Sequence, residues 1–148
     1  MGSARKSDKK NHPRSKILVV DDDPDFCVIL KDALSLEGHE VKTCTEGSKA
    51  MEIVGKDMFD IAIIDLKMPE MTGHEVLHLL NQKFPHITVI ITSAYADHFV
   101  ADVLAREAYA YLPKPLDLEN LNTLIRKIEA KRGILNRGGI TAFRVLPR

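Results

Sequence analysis

Three short apolar runs constrain this sequence most: KILVV at residues 16–20, DIAIID at 60–65 and ITVIIT at 87–92. Each is rich in β-branched residues and too short for an ordinary helix, and none shows the polar alternation of a half-exposed strand. A strand that is apolar on both sides must be covered on both sides, as central strands are in a parallel sheet flanked by helices. The intervening segments fit that arrangement. Asp23 suits an N-cap and Pro24 the first helical position. Phe26, Ile29, Leu30, Ala33 and Leu34 then recur at helical spacing up to a stop at Gly38. EVKTC at 40–44 alternates and is more polar, as at a sheet edge. Further helices are expected over 46–56, 73–84, 96–108 and 116–132, and a short strand over 109–113. The order is β-α five times, which predicts a doubly wound (βα)5 fold of the α/β class.

At 148 residues with 45% apolar and 28% charged side chains, the chain is expected to hold one globular domain. The expected boundaries are a flexible basic arm at 1–15, a folded unit at 16–131 and a basic tail or truncated linker at 132–148. Residues 17–130 hold ten basic and twenty acidic side chains, a net of −10, so the overall neutrality conceals an acidic centre between basic ends. Neither end interleaves aromatics with its basic residues, which argues against direct nucleic-acid binding. Cys27 and Cys44 have no C-x-x-C spacing and read as reduced, small apolar residues. His12, His39, His86 and His98 read as surface residues. With no membrane-length apolar stretch and no signal-like start, the expected location is the cytoplasm.

Polar residues fall at the carboxyl ends of the predicted strands, where sites collect in open α/β sheets. Asp21 and Asp22 follow the first strand, Asp65 ends the third, Thr92 and Ser93 end the fourth, and Lys114-Pro115 follows the fifth. If strands 1 and 3 are neighbours, three carboxylates share one crevice and raise one another's pKa. A hard divalent cation with oxygen ligands, Mg2+ (or Mn2+), relieves that repulsion, and Lys114 relieves more of it. A threonine hydroxyl adds a neutral donor for an oxyanion. The set suits phosphoryl transfer, in which positioning and charge neutralisation dominate. Asp65 stands alone on its strand and is the candidate nucleophile for an aspartyl-phosphate, with Asp21 and Asp22 as the metal pair.

Two other enzyme patterns overlap this set. Asp21-x-Asp23 echoes the D-x-D of haloacid-dehalogenase-type phosphatases, which would make Asp21 the nucleophile. His74-Glu75-Val76-Leu77-His78 matches the H-E-x-x-H zinc-peptidase pattern, with Glu107 a conceivable third ligand. Its downstream extension is absent, since Asn81 and Phe84 stand where Gly and His would. The helix it lies on is expected to bury Val76, Leu77, Leu80 and Phe84, which turns His74 and His78 towards solvent.

The ordered pieces ILVVDDDP, DIAIIDLKMPEMTG, VIITSAYAD and YLPKPL resemble the receiver domain of two-component response regulators over roughly residues 15–130. The resemblance implies a flavodoxin-like, five-stranded parallel sheet of order 2-1-3-4-5. It implies Asp65 as phosphoacceptor, with Mg2+ bound by Asp22 directly, by Asp21 through water and by the backbone carbonyl of Lys67. Thr92 would bond the phosphoryl oxygen. Lys114 would pair with the phosphate beside a cis Lys-Pro bond, and Tyr111 would be the switch aromatic. The implied donor is a histidine kinase or a histidine phosphotransfer protein. The implied output is a changed surface on the fourth helix, fifth strand and fifth helix, with phosphorylation-dependent dimerisation as an option and the effector unspecified. A switch of this kind modifies itself and is not a turnover enzyme. Lys67 places a cation beside the phosphorylation position, and Glu107 replaces the glycine usual in the family ahead of strand 5.

Overall fold

The computed structural model describes residues 14–94 and 106–133. The strands are β1 (Lys16–Val20), β2 (Glu40–Cys44), β3 (Ile61–Asp65), β4 (Thr88–Ser93) and β5 (Ala110–Pro113). The helices are α1 (Pro24–Leu36), α2 (Gly47–Lys56), α3 (Gly73–Lys83) and α4 (Leu118–Arg132), the last being the fifth of the sequence reading. The helix expected over 96–108 lies mostly outside the described residues, as do most of the basic arm and tail; Arg106 and Glu107 are helical.

All pairings are parallel, and the order is β2-β1-β3-β4-β5. Side chains alternate across a strand, so each central strand feeds two cores. Leu18, Val20, Ala62, Ile64, Val89 and Ile91 pack with Ala50 and Val54 of α2 and Val76, Leu77 and Leu80 of α3. Ile17, Val19, Ile61, Ile63 and Ile90 pack with Leu30 and Leu34 of α1 and Leu121, Ile125 and Ile128 of α4. Each fully buried aliphatic side chain contributes about 1.5–3 kcal/mol. Burial on both sides explains why these strands show no alternation.

The stripe of α1 differs from the expected one. Cys27, Leu30 and Leu34 are buried, whereas Ile29 is 64% exposed. Five consecutive apolar residues, Phe26–Leu30, allow more than one helical stripe, and the small thiol of Cys27 takes the inward position. The expected stop at Gly38 is present, with φ 95°. Asp23 caps α1 by accepting from the amides of Asp25 and Phe26.

A polar network closes the amino-terminal end of the sheet. The Glu129 carboxylate is completely buried, accepts a 2.5 Å hydrogen bond from Ser15 Oγ and lies 3.5 Å from an Arg14 nitrogen. Arg14 and Ser15, placed in the arm by the sequence reading, therefore pack against α4. Arg132 donates to Asp60 O and to Thr88 Oγ1, tying α4 to the starts of β3 and β4. His39 also sits here at 6% exposure, which corrects its reading as a surface residue. Its Nδ1 stands 3.6 Å from Glu129 Oε2. Burial and then the Arg14 charge lower its pKa to about 4. Without the position of Glu129, nothing in the local sequence marks His39 as buried.

Candidate functional site

The strand order puts β1 beside β3 with β2 on the other side, so the topological switch point opens between β1 and β3. The chain leaves β1 at Asp21, and β3 ends on Asp65. Both side chains are withdrawn from solvent, at 1% and 6% exposure, while Asp22 is exposed. One oxygen from each of Asp21, Asp22 and Asp65 lies within 4.8 Å of the others.

Asp21 is held at both oxygens. Oδ2 accepts from Lys114 Nζ at 2.7 Å, and Oδ1 accepts from the Asp23 amide at 3.0 Å. Lys114 Nζ also stands 3.8 Å from Asp65 Oδ1 and 4.3 Å from the centroid of the Phe26 ring. The Lys114 amide donates to Ser93 O, and the Lys114–Pro115 bond is cis, as the resemblance implied. Burial works to lower the Lys114 pKa, but the hydrogen bond and charge of Asp21, with the charges of Asp65 and Asp22, raise it overall. The ammonium is thus charged throughout the neutral range.

Burial, then the neighbouring charge of Asp21, pushes Asp65 up to about 6, against the opposing charge of Lys114. A backbone hydrogen bond from Lys67 to the Asp65 carboxylate also opposes the rise. Thr92 pairs in register with Asp65 across β3 and β4 and is 1% exposed. Its hydroxyl has no hydrogen-bond partner among the described residues. An orphaned buried hydroxyl costs about 1–3 kcal/mol. Tyr111 is half-buried on β5, opposite Ile91, against the core shared with α2 and α3.

The loop after Asp65 is folded tightly onto the strand end. The Gly73 amide donates to Leu66 O at 2.9 Å, and a Cβ at Gly73 would fall 2.2 Å from Asp65 O. Thr72 caps α3 in a reciprocal box: Thr72 Oγ1 accepts from the Glu75 amide, and Glu75 Oε1 accepts from the Thr72 amide. Glu75 of the H-E-x-x-H match is therefore engaged in starting its own helix. His74 and His78 are exposed, as expected, while Val76, Leu77 and Leu80 are buried. Sequence reasoning missed one residue here. Phe26, assigned only to a core stripe, lies against the Lys114 ammonium. Glu107, named as a third ligand only under the peptidase reading and as a departure ahead of strand 5, lies 3.1 Å from His74 Nε2. Neither pairing has a local sequence signal, because the partners are far apart in the chain.

A doubly wound sheet whose switch point gathers three carboxylates, a lysine and an unpartnered hydroxyl offers the positioning and charge neutralisation that phosphoryl transfer needs. The chain belongs to the response regulator receiver domain family, whose model matches residues 17–126. It is 36% identical over 126 residues to the transcriptional regulatory protein ZraR of Escherichia coli O157:H7, a match covering 84% of this chain but 29% of that protein. It is 29% identical over 113 residues to sporulation initiation phosphotransferase F of Bacillus subtilis, covering 76% of this chain and 91% of that one. Among solved structures it resembles response regulator protein TrrA of Thermotoga maritima in complex with Mg2+-BeF. The TM-score is 0.70 at 31% identity, over 76% of this chain and 97% of that one. The chain thus spans less than a third of ZraR. The receiver domain of this chain serves phosphorylation-controlled two-component signalling, and neither the family match nor these relatives support the phosphatase or peptidase reading.

Proposed function

We propose that Asp65 is the phosphoacceptor of this domain. The observation that carries this is the convergence of Asp21, Asp22 and Asp65 beside Lys114 and the orphaned Thr92 hydroxyl. Both Asp21 oxygens are already engaged, one by Lys114 and one by the Asp23 amide, which leaves Asp65 the better nucleophile. With a pKa of about 6, Asp65 is largely ionised at neutral pH yet more basic than an ordinary aspartate. Its carboxylate oxygen attacks the phosphorus of a phosphohistidine. The P–N bond breaks, an acyl phosphate forms, and the released imidazole takes its proton from solvent. Lys114 neutralises one phosphoryl oxygen and the Thr92 hydroxyl donates to another.

The clustered, partly desolvated carboxylates fit a hard divalent cation. Asp21, Asp22 and the Lys67 carbonyl would hold Mg2+ (or Mn2+), which when bound supplies charge neutralisation to the carboxylates and the incoming phosphoryl group. The donor is a histidine kinase or histidine phosphotransfer protein in the cytoplasm; among the described residues no helix is long and apolar enough to cross a membrane. The folded unit is residues 16–131, extended by the anchored Arg14 and Ser15. The domain acts as a switch rather than a turnover catalyst. Engagement of the Thr92 hydroxyl by phosphate is read out through Tyr111 on the surface of β5 and α4; the helix expected over 96–108, the third part of the expected output surface, lies mostly outside the described residues. Phosphorylation-dependent dimerisation through that surface is one route to output.

Incubation with acetyl phosphate and Mg2+ should add one phosphoryl group, seen by intact mass, and Asp65→Asn should abolish it. Label that persists in Asp65→Asn and disappears in Asp21→Asn would transfer the nucleophile to Asp21.

A further inference from the structure

One neighbour of Lys114 has no role in the phosphotransfer set, the aromatic ring of Phe26. Phe26 lies in the first turn of α1, whose start is fixed by Asp23. The Asp23 carboxylate accepts from the Asp25 and Phe26 amides, and the Asp23 amide donates to Asp21 Oδ1. One short turn, residues 21–26, therefore presents both the Asp21 carboxylate and the Phe26 ring to the same ammonium. The half-buried ring is held by the core shared by α1 and α4, against which Leu112 and Leu116 also pack. Lys114 Nζ stands 4.3 Å from the ring centroid, 2.7 Å from Asp21 Oδ2 and 3.8 Å from Asp65 Oδ1. The first distance is well inside the roughly 6 Å within which a ring face attracts a cation.

We propose that Phe26 is a positioning residue for phosphoryl transfer, its ring face holding the Lys114 ammonium in place for the incoming phosphoryl group. The inference rests on the phosphoacceptor reading of Asp65. A lysine ammonium is a compact point charge on a flexible four-carbon stem. A single ion pair fixes its distance from Asp21 but not its direction. The ring supplies a second fixed point. It also keeps water from part of a side chain that is 20% exposed, so the charge is screened less. Unlike a further carboxylate, a ring attracts the ammonium without competing strongly for its three N–H donors, which leaves donors for phosphoryl oxygens. A phenylalanine serving only the core would carry the aliphatic stem of the lysine, with the charged nitrogen turned out to water. Here the nitrogen itself lies over the ring.

The test combines substitution of Phe26 in the full chain with fluorinated phenylalanines at the same position, which drain negative charge from the ring face at nearly constant shape. Labelling by acetyl phosphate with Mg2+ should slow about three- to tenfold in Phe26→Leu and stay within about twofold of the unmodified rate in Phe26→Tyr. It should slow stepwise as fluorines are added, while the thermal midpoint and the Mg2+ affinity stay level. In a Lys114→Met background, the Phe26 substitutions should have no further effect. Titration of the Lys114 ammonium, followed by 15N NMR, should move to lower pH along the fluorine series, and it reads the ring contact without phosphorylation. Label retained in Asp65→Asn would thus displace the phosphoacceptor assignment alone, since the fluorine trend would still support Phe26. A labelling rate and a Lys114 titration that are both indifferent to fluorination overturn the proposal. So does slowing by Phe26→Leu that persists in the Lys114→Met background.

Discussion

Lys114 Nζ and Asp21 Oδ2 form a 2.7 Å ion pair in which the carboxylate is almost wholly buried and the ammonium partly so. Removing one member of such a pair leaves the other charge uncompensated. Lys114→Met should therefore destabilise the domain by about 1–3 kcal/mol, less than for a fully buried pair because Lys114 retains some exposure. Lys114→Met combined with Asp21→Asn should cost less than the sum of the single changes, as measured by urea unfolding. Phosphorylation by acetyl phosphate should slow markedly in Lys114→Met. Lys114→Arg should restore it poorly, because a planar guanidinium does not reproduce a compact ammonium over the Phe26 ring.

Asp65 makes metal-free stability depend on pH. Its folded pKa of about 6 lies above the ordinary value of 3.8, so the folded chain holds this proton more tightly than the unfolded chain. The stability it contributes is complete below about pH 4 and is lost as pH rises through 6. Asp65→Asn should remove that slope and make the metal-free domain about 1–3 kcal/mol more stable at pH 7. Added Mg2+ should stabilise the unmodified protein more than the variant. Urea melts at several pH values, with chelator and then with Mg2+, would measure both effects.

His39 acts with the opposite sign in an overlapping window. Its folded pKa of about 4 lies below the ordinary 6.5, so its contribution is present above pH 6.5 and is lost as pH falls through 4. His39→Gln should flatten this acid limb, and a melt series in the Asp65→Asn background would isolate it. An acid limb unchanged by the substitution would show that His39 does not carry it.

Gly73 has no room for a side chain. Gly73→Ala would set a methyl 2.2 Å from Asp65 O and 2.7 Å from Leu66 Cα, both backbone atoms. The expected cost is about 2 kcal/mol or more. The loop over Asp65 must also shift, so phosphorylation should slow in protein that remains folded. Thermal melting and acetyl phosphate labelling would measure the two consequences separately.

Much of this molecule could be read from one dimension because its determinants are local. Non-alternating apolar runs marked β1, β3 and β4, and the residues after them marked the crevice. Asp21, Asp65, Thr92 and Lys114 needed only the strand order to meet. Contacts between distant segments could not be read. His39 looks like a loop histidine until Glu129 is known to lie above it. Phe26 looks like core until Lys114 comes to rest over it. The inward stripe of α1 was ambiguous because five apolar residues in succession satisfy several helical phases.

The Ser15–Glu129 hydrogen bond has a consequence for architecture. It fastens the residue before β1 to the last helix, at the amino-terminal end of the sheet and away from the acidic crevice. Both exits from the domain therefore lie side by side at its base. Such a unit behaves as a cassette: fusion at either end, or circular permutation joining residues 14 and 133 through a short linker, should leave a phosphodonor's approach unobstructed.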